Sequence, residues 1–146
     1  MRTISSLILL FFFVTKPALA SDEAKLVVTT FDGKNFDLKE KRGKIVVVNF
    51  WAYWCKECAL EMIALEEMSK ECRGTDFEII GLSVDRKKSL KDVLIKAQKV
   101  SYPNALLVDA SENNFPKIDS VPTTYVVDRD GVARVLNKIP TCSQLK

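Results

Sequence analysis

The chain has 146 residues, 47% hydrophobic and 28% charged, with a formal net charge of +3 and no histidine. That is the composition of an ordinary single-core globular protein. So small an excess of charge gives no strong field for nucleic acid or an anionic surface, and no repeat or disordered stretch is evident.

Residues 1–20 read as a targeting segment: Arg2 as the positive n-region, Ile4 to Val14 as the apolar h-region, and Ala18-Leu19-Ala20 as the cleavage site before Ser21. The apolar stretch ends at Lys16-Pro17, shorter than the ~20 residues a membrane span requires, so cleavage is favoured over an uncleaved anchor. With either outcome the domain, residues 21–146, is placed outside the cytosol. The segment carries two of the 22 basic residues and none of the 19 acidic ones, so the domain left behind is close to neutral.

The domain opens with two β-prone runs, Leu26–Phe31 and Phe36–Leu38, around Asp32-Gly33, which predicts a two-stranded ribbon. A charged loop, Lys39–Lys44, leads to Ile45–Phe50, whose continuous apolar, β-branched character predicts a strand buried on both faces. Helical periodicity then runs from Cys55 to about Arg73, with Gly74 as the stop. Cys58, Met62, Leu65 and Cys72 share one stripe of that helix, so Cys72 reads as a small buried apolar residue. A strand is predicted at Phe77–Val84, ended by Asp85. Ser89-x-x-Asp92 resembles a capping box opening a helix that carries Leu90, Val93, Leu94 and Ala97 on one face. Next come a strand at Ala105–Asp109 and a connecting segment around Asn113–Ile118, where Pro116 limits any helix to a turn. Tyr125–Val127 and Val132–Leu136 flank Asp128-Arg129-Asp130-Gly131 as a closing hairpin.

The chemistry concentrates at Trp54-Cys55-Lys56-Glu57-Cys58, where the buried strand passes over to the helix. A helix N-terminus presents unpaired N–H groups and partial positive charge, which stabilise a thiolate at Cys55. Cys58 lies one turn on, close enough for the two sulfurs to join. A zinc site needs two more ligands, but histidine is absent and Cys72 and Cys142 are isolated from each other. A purely structural bridge gains little from closing so short a loop, which leaves a redox couple as the leading reading.

The run Val48-Asn49-Phe50-Trp51-Ala52 into Trp54-Cys55-x-x-Cys58, followed by Glu61 and much later by Val121-Pro122-Thr123-Thr124, resembles the TlpA/ResA-like branch of the thioredoxin-fold thiol-disulfide oxidoreductases, over about residues 31–136. The resemblance implies an α/β thioredoxin-like fold: a mixed central sheet flanked by helices, with an N-terminal β-hairpin and a central βα insertion. It implies that Glu61, matching the glutamate that similar enzymes place beside the pair, exchanges protons with Cys58, the alternative being a solvated helix-face glutamate. It also implies a cis Val121-Pro122 bond facing the disulfide, with substrate held along Val121, Pro122 and Thr123. Trp51, Tyr53 and Trp54 are expected to wall the site or, as large aromatics, to belong to the core.

The chain departs from the family at four places. Asn49 stands where thioredoxin has an aspartate, Lys56-Glu57 where it has Gly-Pro, and Ile63 where the branch usually has proline. The last amphipathic helix of the fold is shortened or missing, since only Asn137–Lys146 remains and Pro140 breaks it. A helical stub at Ser143–Lys146, or a partner, would have to cover the exposed face. Cys72 and Cys142 are expected not to pair. A helix of about 18 residues spans roughly 27 Å, which sets Cys72 far from a cysteine that follows a strand returning to the active-site end.

The function implied is an exported, periplasmic or membrane-anchored oxidoreductase that reduces disulfides of envelope proteins, as in cytochrome c maturation. It would use no cofactor or metal beyond the Cys55–Cys58 disulfide. Its expected partners are protein thiols and disulfides and a membrane electron donor, with no nucleic acid, a membrane contact only through an uncleaved leader, and a monomeric state. The alternatives are a disulfide oxidant or isomerase, a peroxiredoxin-type peroxidase, and a non-catalytic binding module of the same fold.

Overall fold

The structure, a computed structural model, describes residues 23–145. The proposed leader lies outside the described residues.

Strand β3 (Ile45–Trp51) is the axis of the molecule, and all seven of its residues are buried. It pairs in parallel with β4 (Phe77–Ser83), which pairs in parallel with β5 (Asn104–Leu106). On its other edge β3 pairs antiparallel with β7 (Thr123–Val127), and β7 with β8 (Ala133–Val135). The five-stranded order is therefore β5-β4-β3-β7-β8. The crossovers β3 to β4 and β4 to β5 carry α1 (Lys56–Glu71) and α2 (Leu90–Ala97). Both connections step the same way across the sheet, so right-handed crossovers place both helices on one face.

Alternation along β3 sorts its side chains between two cores. Val46, Val48 and Phe50 face away from the helices and pack with Leu26, Val28, Phe36 and Phe115. Phe50, Phe115 and Tyr125 meet edge to face, with ring centroids 5.1–6.0 Å apart. Trp51 faces the helices with Cys55, Cys58, Met62, Val93 and Ala97, and Val47 does so further down with Leu65, Met68 and Cys72.

No α-helix covers the first face among the described residues; a small second sheet does, with Leu38 of a 3-10 turn, Leu38–Lys41, beside it. The predicted ribbon forms as β1 (Leu26–Thr29) and β2 (Asn35–Asp37), with Gly33 at a φ of 80° that favours glycine. A third strand unforeseen in the sequence, β6 (Glu112–Asn113), adds to the free edge of β1. Two residues carry too little pattern to announce a strand; the open edge of β1 recruits them.

Other expectations need correction. Strand β5 starts at Asn104 and stops at Leu106, because Leu107–Asp109 winds into a 3-10 turn. Ser89 is the N-cap of α2 but its side chain makes no capping bond, since a 3-10 turn, Lys87–Ser89, already leads into the helix. Trp51 does not wall the site: it is fully buried, and its Nε1 donates to Asn104 Oδ1 at 2.9 Å. That bond crosses over Gly81 of β4, where a Cβ would collide with the Asn104 amide.

The expectation that Cys72 and Cys142 stay apart is overturned. They form a disulfide, with Cα atoms 5.5 Å apart. The chain after β8 does not return to the active-site end: β8 is only three residues long, and the tail then doubles back along the helix face. Leu136, Ile139, Cys142 and Leu145 pack against the cluster of Val47, Leu65, Met68 and Cys72. A 3-10 turn, Cys142–Leu145, stands where the stub was expected at Ser143–Lys146. Cys72 is thus buried, as its stripe implied, and bonded as well.

Candidate functional site

The site forms where β3 ends and α1 begins. Cys55 is the N-cap of α1, with its backbone extended (φ −79°, ψ 115°) and its Sγ accepting from the Cys58 N–H at 3.0 Å. The sulfur thereby takes the capping place that a Ser or Asp oxygen usually fills, and meets the helix dipole at close range. The Cys55–Cys58 disulfide is closed, with Cα atoms 5.3 Å apart. Cys58 is fully buried, whereas Cys55 keeps 3% exposure at the rim.

The Val121–Pro122 peptide is cis, as expected. The Val121 carbonyl oxygen lies 3.7 Å from Cys55 Sγ, so this loop and the disulfide face each other. Val121, Pro122 and Thr123 are all half-buried, and the Thr123 hydroxyl donates back to the Ser120 carbonyl at 2.7 Å, tightening the turn that presents them.

Beneath the pair lies a polar trio. Asn49 faces the helices between Val47 and Trp51, and its Nδ2 donates to Glu61 Oε1 at 3.0 Å and to Thr124 Oγ1 at 2.8 Å. The Thr124 hydroxyl donates to the same Glu61 oxygen. Glu61 is half-buried, held by two donors, while Asn49 Oδ1 is buried without a partner. Asn49 and Thr124 are directly opposed in the β3–β7 register, which explains how residues 75 apart in sequence share one carboxylate. Thr124 stands out in the sequence only as the end of a motif; its contact with Glu61 depends on sheet register, which the sequence does not display.

The aromatic residues divide. Trp54 and Tyr53 are exposed, at 63% and 38%, while Trp51 belongs to the core. Trp54 and Tyr53 border a groove of about 460 Å³ between α1 and α2, floored by Met62, Ile63 and Val100 and reaching Cys55.

Two residues holding the Ala52–Cys55 loop gave no signal in the sequence. Asp85 Oδ2 accepts from the Tyr53 N–H and the Ser83 hydroxyl, each at 2.8 Å. Lys96 of α2 donates from Nζ to the carbonyls of Ala52 at 2.9 Å, Tyr53 at 3.3 Å and Cys55. Burial lowers the Lys96 pKa below its ordinary 10.5, Asp85 and Glu57 opposing the shift and Lys99 adding to it. Among the described residues no helix is long and apolar enough to cross a membrane.

The model of the AhpC/TSA family matches residues 20–135. The thiol-disulfide oxidoreductase ResA of a Bacillus cereus strain is 30% identical over 124 residues, covering 85% of this chain and 70% of that protein. Among solved structures, the thiol:disulfide interchange protein of Chlorobium tepidum TLS, a thioredoxin family protein, superposes with a TM-score of 0.64 at 23% identity, covering 83% of this chain and 88% of the other. StoA of Bacillus subtilis does so with a TM-score of 0.62 at 17% identity, covering 86% and 96%.

Proposed function

Because the chain belongs to the AhpC/TSA family, in its ResA-like branch of thioredoxin-fold thiol-disulfide oxidoreductases, we propose that it reduces disulfides of exported proteins, with Cys55 as the attacking thiol. One observation carries the assignment: Cys55 caps α1 at the rim of the site while Cys58 is fully enclosed. In the reduced protein the Cys55 thiolate attacks a substrate disulfide sulfur, releasing one substrate thiolate and leaving a mixed disulfide on Cys55. Cys58, once deprotonated, attacks Cys55 Sγ, releases the second substrate thiolate and closes the Cys55–Cys58 bond. Two electrons pass to the substrate, and the protein's dithiol becomes its disulfide.

Glu61 is the proposed acceptor for the Cys58 proton, supported by its place on α1 one turn beyond Cys58 and by the absence of histidine. Val121, Pro122 and Thr123 would align an extended substrate segment across the disulfide, with Trp54 bordering it. No further cofactor or metal takes part. The substrates are proteins outside the cytosol, cytochrome c precursors among them, and a membrane-bound electron donor re-reduces Cys55–Cys58. The protein acts as a monomer, exported by the leader at residues 1–20. An oxidising compartment makes such re-reduction necessary for any reductant.

A peroxidase reading finds no support in the residues at the site. The peroxiredoxin type sets a single cysteine in Pro-x-x-x-Thr/Ser-x-x-Cys, whereas Phe50-Trp51-Ala52-Tyr53-Trp54 precedes Cys55 here. Insulin reduction measured beside peroxide consumption separates the two, with insulin turnover expected. Equilibration of the Cys55/Cys58 pair against glutathione buffers then gives the direction of exchange. A pair still reduced in a strongly oxidising buffer would rule out the reductant in favour of an oxidant or isomerase.

A further inference from the structure

Lys96 is the cation that holds the active-site loop from below. It lies near the end of α2, a helix whose buried residues are Val93 and Ala97, yet its ammonium turns inward beneath the active-site loop. All three of its N–H donors have carbonyl acceptors, Ala52, Tyr53 and Cys55, within the four residues that end at the N-cap cysteine. Below them its Nζ lies 5.8 Å from the centroid of the Trp51 ring, where the ring's negative face favours a cation. A long, flexible side chain loses much rotamer freedom in such an arrangement, so its contacts must offset a real entropic loss. The side chains of Lys56 and Lys99, the other cations bordering the same groove, form no ion pair or hydrogen bond among the described residues.

We infer that Lys96 is a positioning residue for thiol-disulfide exchange: its ammonium fixes the Ala52–Cys55 loop and supplies the charge that holds the Cys55 thiolate at neutral pH. This rests on the assignment of Cys55 as the attacking thiol. When the disulfide opens, negative charge appears on Cys55 Sγ, on the same residue whose carbonyl Lys96 already contacts. An opposite charge held close to a thiol favours its charged form and lowers its pKa. The other charged groups around the loop are Lys56, Glu57 and, beneath the cysteine pair, Glu61 on α1, Asp85, Arg86 and Lys88 after β4, and Asp92 and Lys99 on α2. Lys56 and Glu57 are adjacent in sequence and of opposite sign, and Asp92 and Lys99 bring one charge of each sign to the groove. Asp85 is engaged by the Tyr53 N–H and Ser83. Lys96 alone of the cations is fixed by hydrogen bonds to the loop. One such cation beside a helix terminus brings the thiol towards ambient pH, where an attacking thiol works best, without making the pair a strong oxidant.

The experiment is the pH dependence of iodoacetamide alkylation of the fully reduced protein, with the labelled cysteine identified by peptide mapping. Lys96→Met is expected to raise the Cys55 midpoint by about one unit, and Lys96→Arg to restore it to within a few tenths. A midpoint unchanged in Lys96→Met, with only thermal stability reduced, would overturn the inference and leave Lys96 a structural clamp. Should Lys96→Met fail to fold, the wild-type chain gives the same answer. Linkage requires that if Lys96 lowers the thiol pKa, opening the disulfide to the thiolate raises the Lys96 pKa by the same factor. That shift is read from the Lys96 Cε resonance, titrated in the oxidised and reduced forms. Equal Lys96 midpoints in the two forms would overturn the inference. Alkylation of Cys58 ahead of Cys55 would instead overturn the assignment of the attacking thiol, and the inference with it.

Discussion

Cys55 and Cys58 differ in two properties that decide their order of reaction. Cys55 borders the groove, and its Sγ lies against the Val121 carbonyl and accepts an N–H from the first turn of α1; Cys58 is fully buried in the core with Trp51, Met62 and Val93. Cys55→Ser is therefore expected to abolish exchange, while Cys58→Ser should accumulate a mixed disulfide with substrate, visible on a non-reducing gel. Equal trapping by the two variants would contradict that order. Glu61 accepts from Asn49 and Thr124 through one carboxylate oxygen, leaving the other for proton traffic. Glu61→Gln keeps the shape and removes the base, so resolution of the mixed disulfide should slow by roughly a hundredfold in stopped-flow measurements, the low end of general acid–base effects. The change should fall on resolution and not on attack.

At the scale of elements, the lower end of the sheet is tied by charge. Glu78 on β4 pairs with Lys41 at 2.9 Å and with Lys44. Burial pushes the Glu78 carboxyl up, but the two lysines outweigh it and hold the pKa below the ordinary 4.5. A carboxylate depressed in the folded state contributes stability that is complete above pH 4.5 and is lost as the pH falls through the folded value. Chemical denaturation at stepped pH should show Glu78→Gln less stable at pH 7 and flatter than wild type below about pH 4.5. Between β3, β4 and β5, Gly81 leaves the gap through which Trp51 reaches Asn104. Gly81→Ala should cost about 1–3 kcal/mol, the usual range for overpacking, and should disturb the loop that follows Trp51. Thermal unfolding and the exchange rate should both report it.

For the molecule as a whole, the tail is the unusual feature. After β8 an irregular segment lays the apolar residues Leu136, Ile139 and Leu145 over the lower half of α1. Apart from the 3-10 turn at Cys142–Leu145 this segment has no regular helical hydrogen bonding to hold it in place, and the Cys72–Cys142 bridge supplies the constraint. Its sequence separation of 70 residues gives about 4 kcal/mol in the chain-entropy model, an upper figure because real denatured chains keep some structure. Cys72→Ala/Cys142→Ala should therefore be strongly destabilised in urea. The double variant should still exchange through Cys55 and Cys58 at low temperature, since the bridge joins the far end of α1 to the tail and touches neither cysteine. Loss of exchange in a protein shown to be folded would mean that the two disulfides communicate.

The strand at Ile45–Phe50, the helix after Cys55 and the cysteine pair at their junction were legible from local pattern alone. A continuous β-branched run, a helical stripe and a three-residue spacing depend only on neighbours in sequence. The family resemblance added the cis Val121–Pro122 bond and the thioredoxin-like layering of the sheet. What the chain did not disclose are contacts between segments whose relative register is set elsewhere. Asn49 meets Thr124 because β3 and β7 align at that residue pair, and β6 exists because β1 has an open edge. Lys96 reaches the Cys55 loop because two right-handed crossovers set α2 beside α1. The Cys72–Cys142 bridge escapes a reading of the sequence for the same reason: periodicity sets the length of α1, but only packing of Leu136, Ile139 and Leu145 against its lower face turns the tail back to meet Cys72. Local pattern determines which elements form and where the reactive thiols sit. Burial of the remaining apolar surface, a property of the assembled chain, decides what surrounds them.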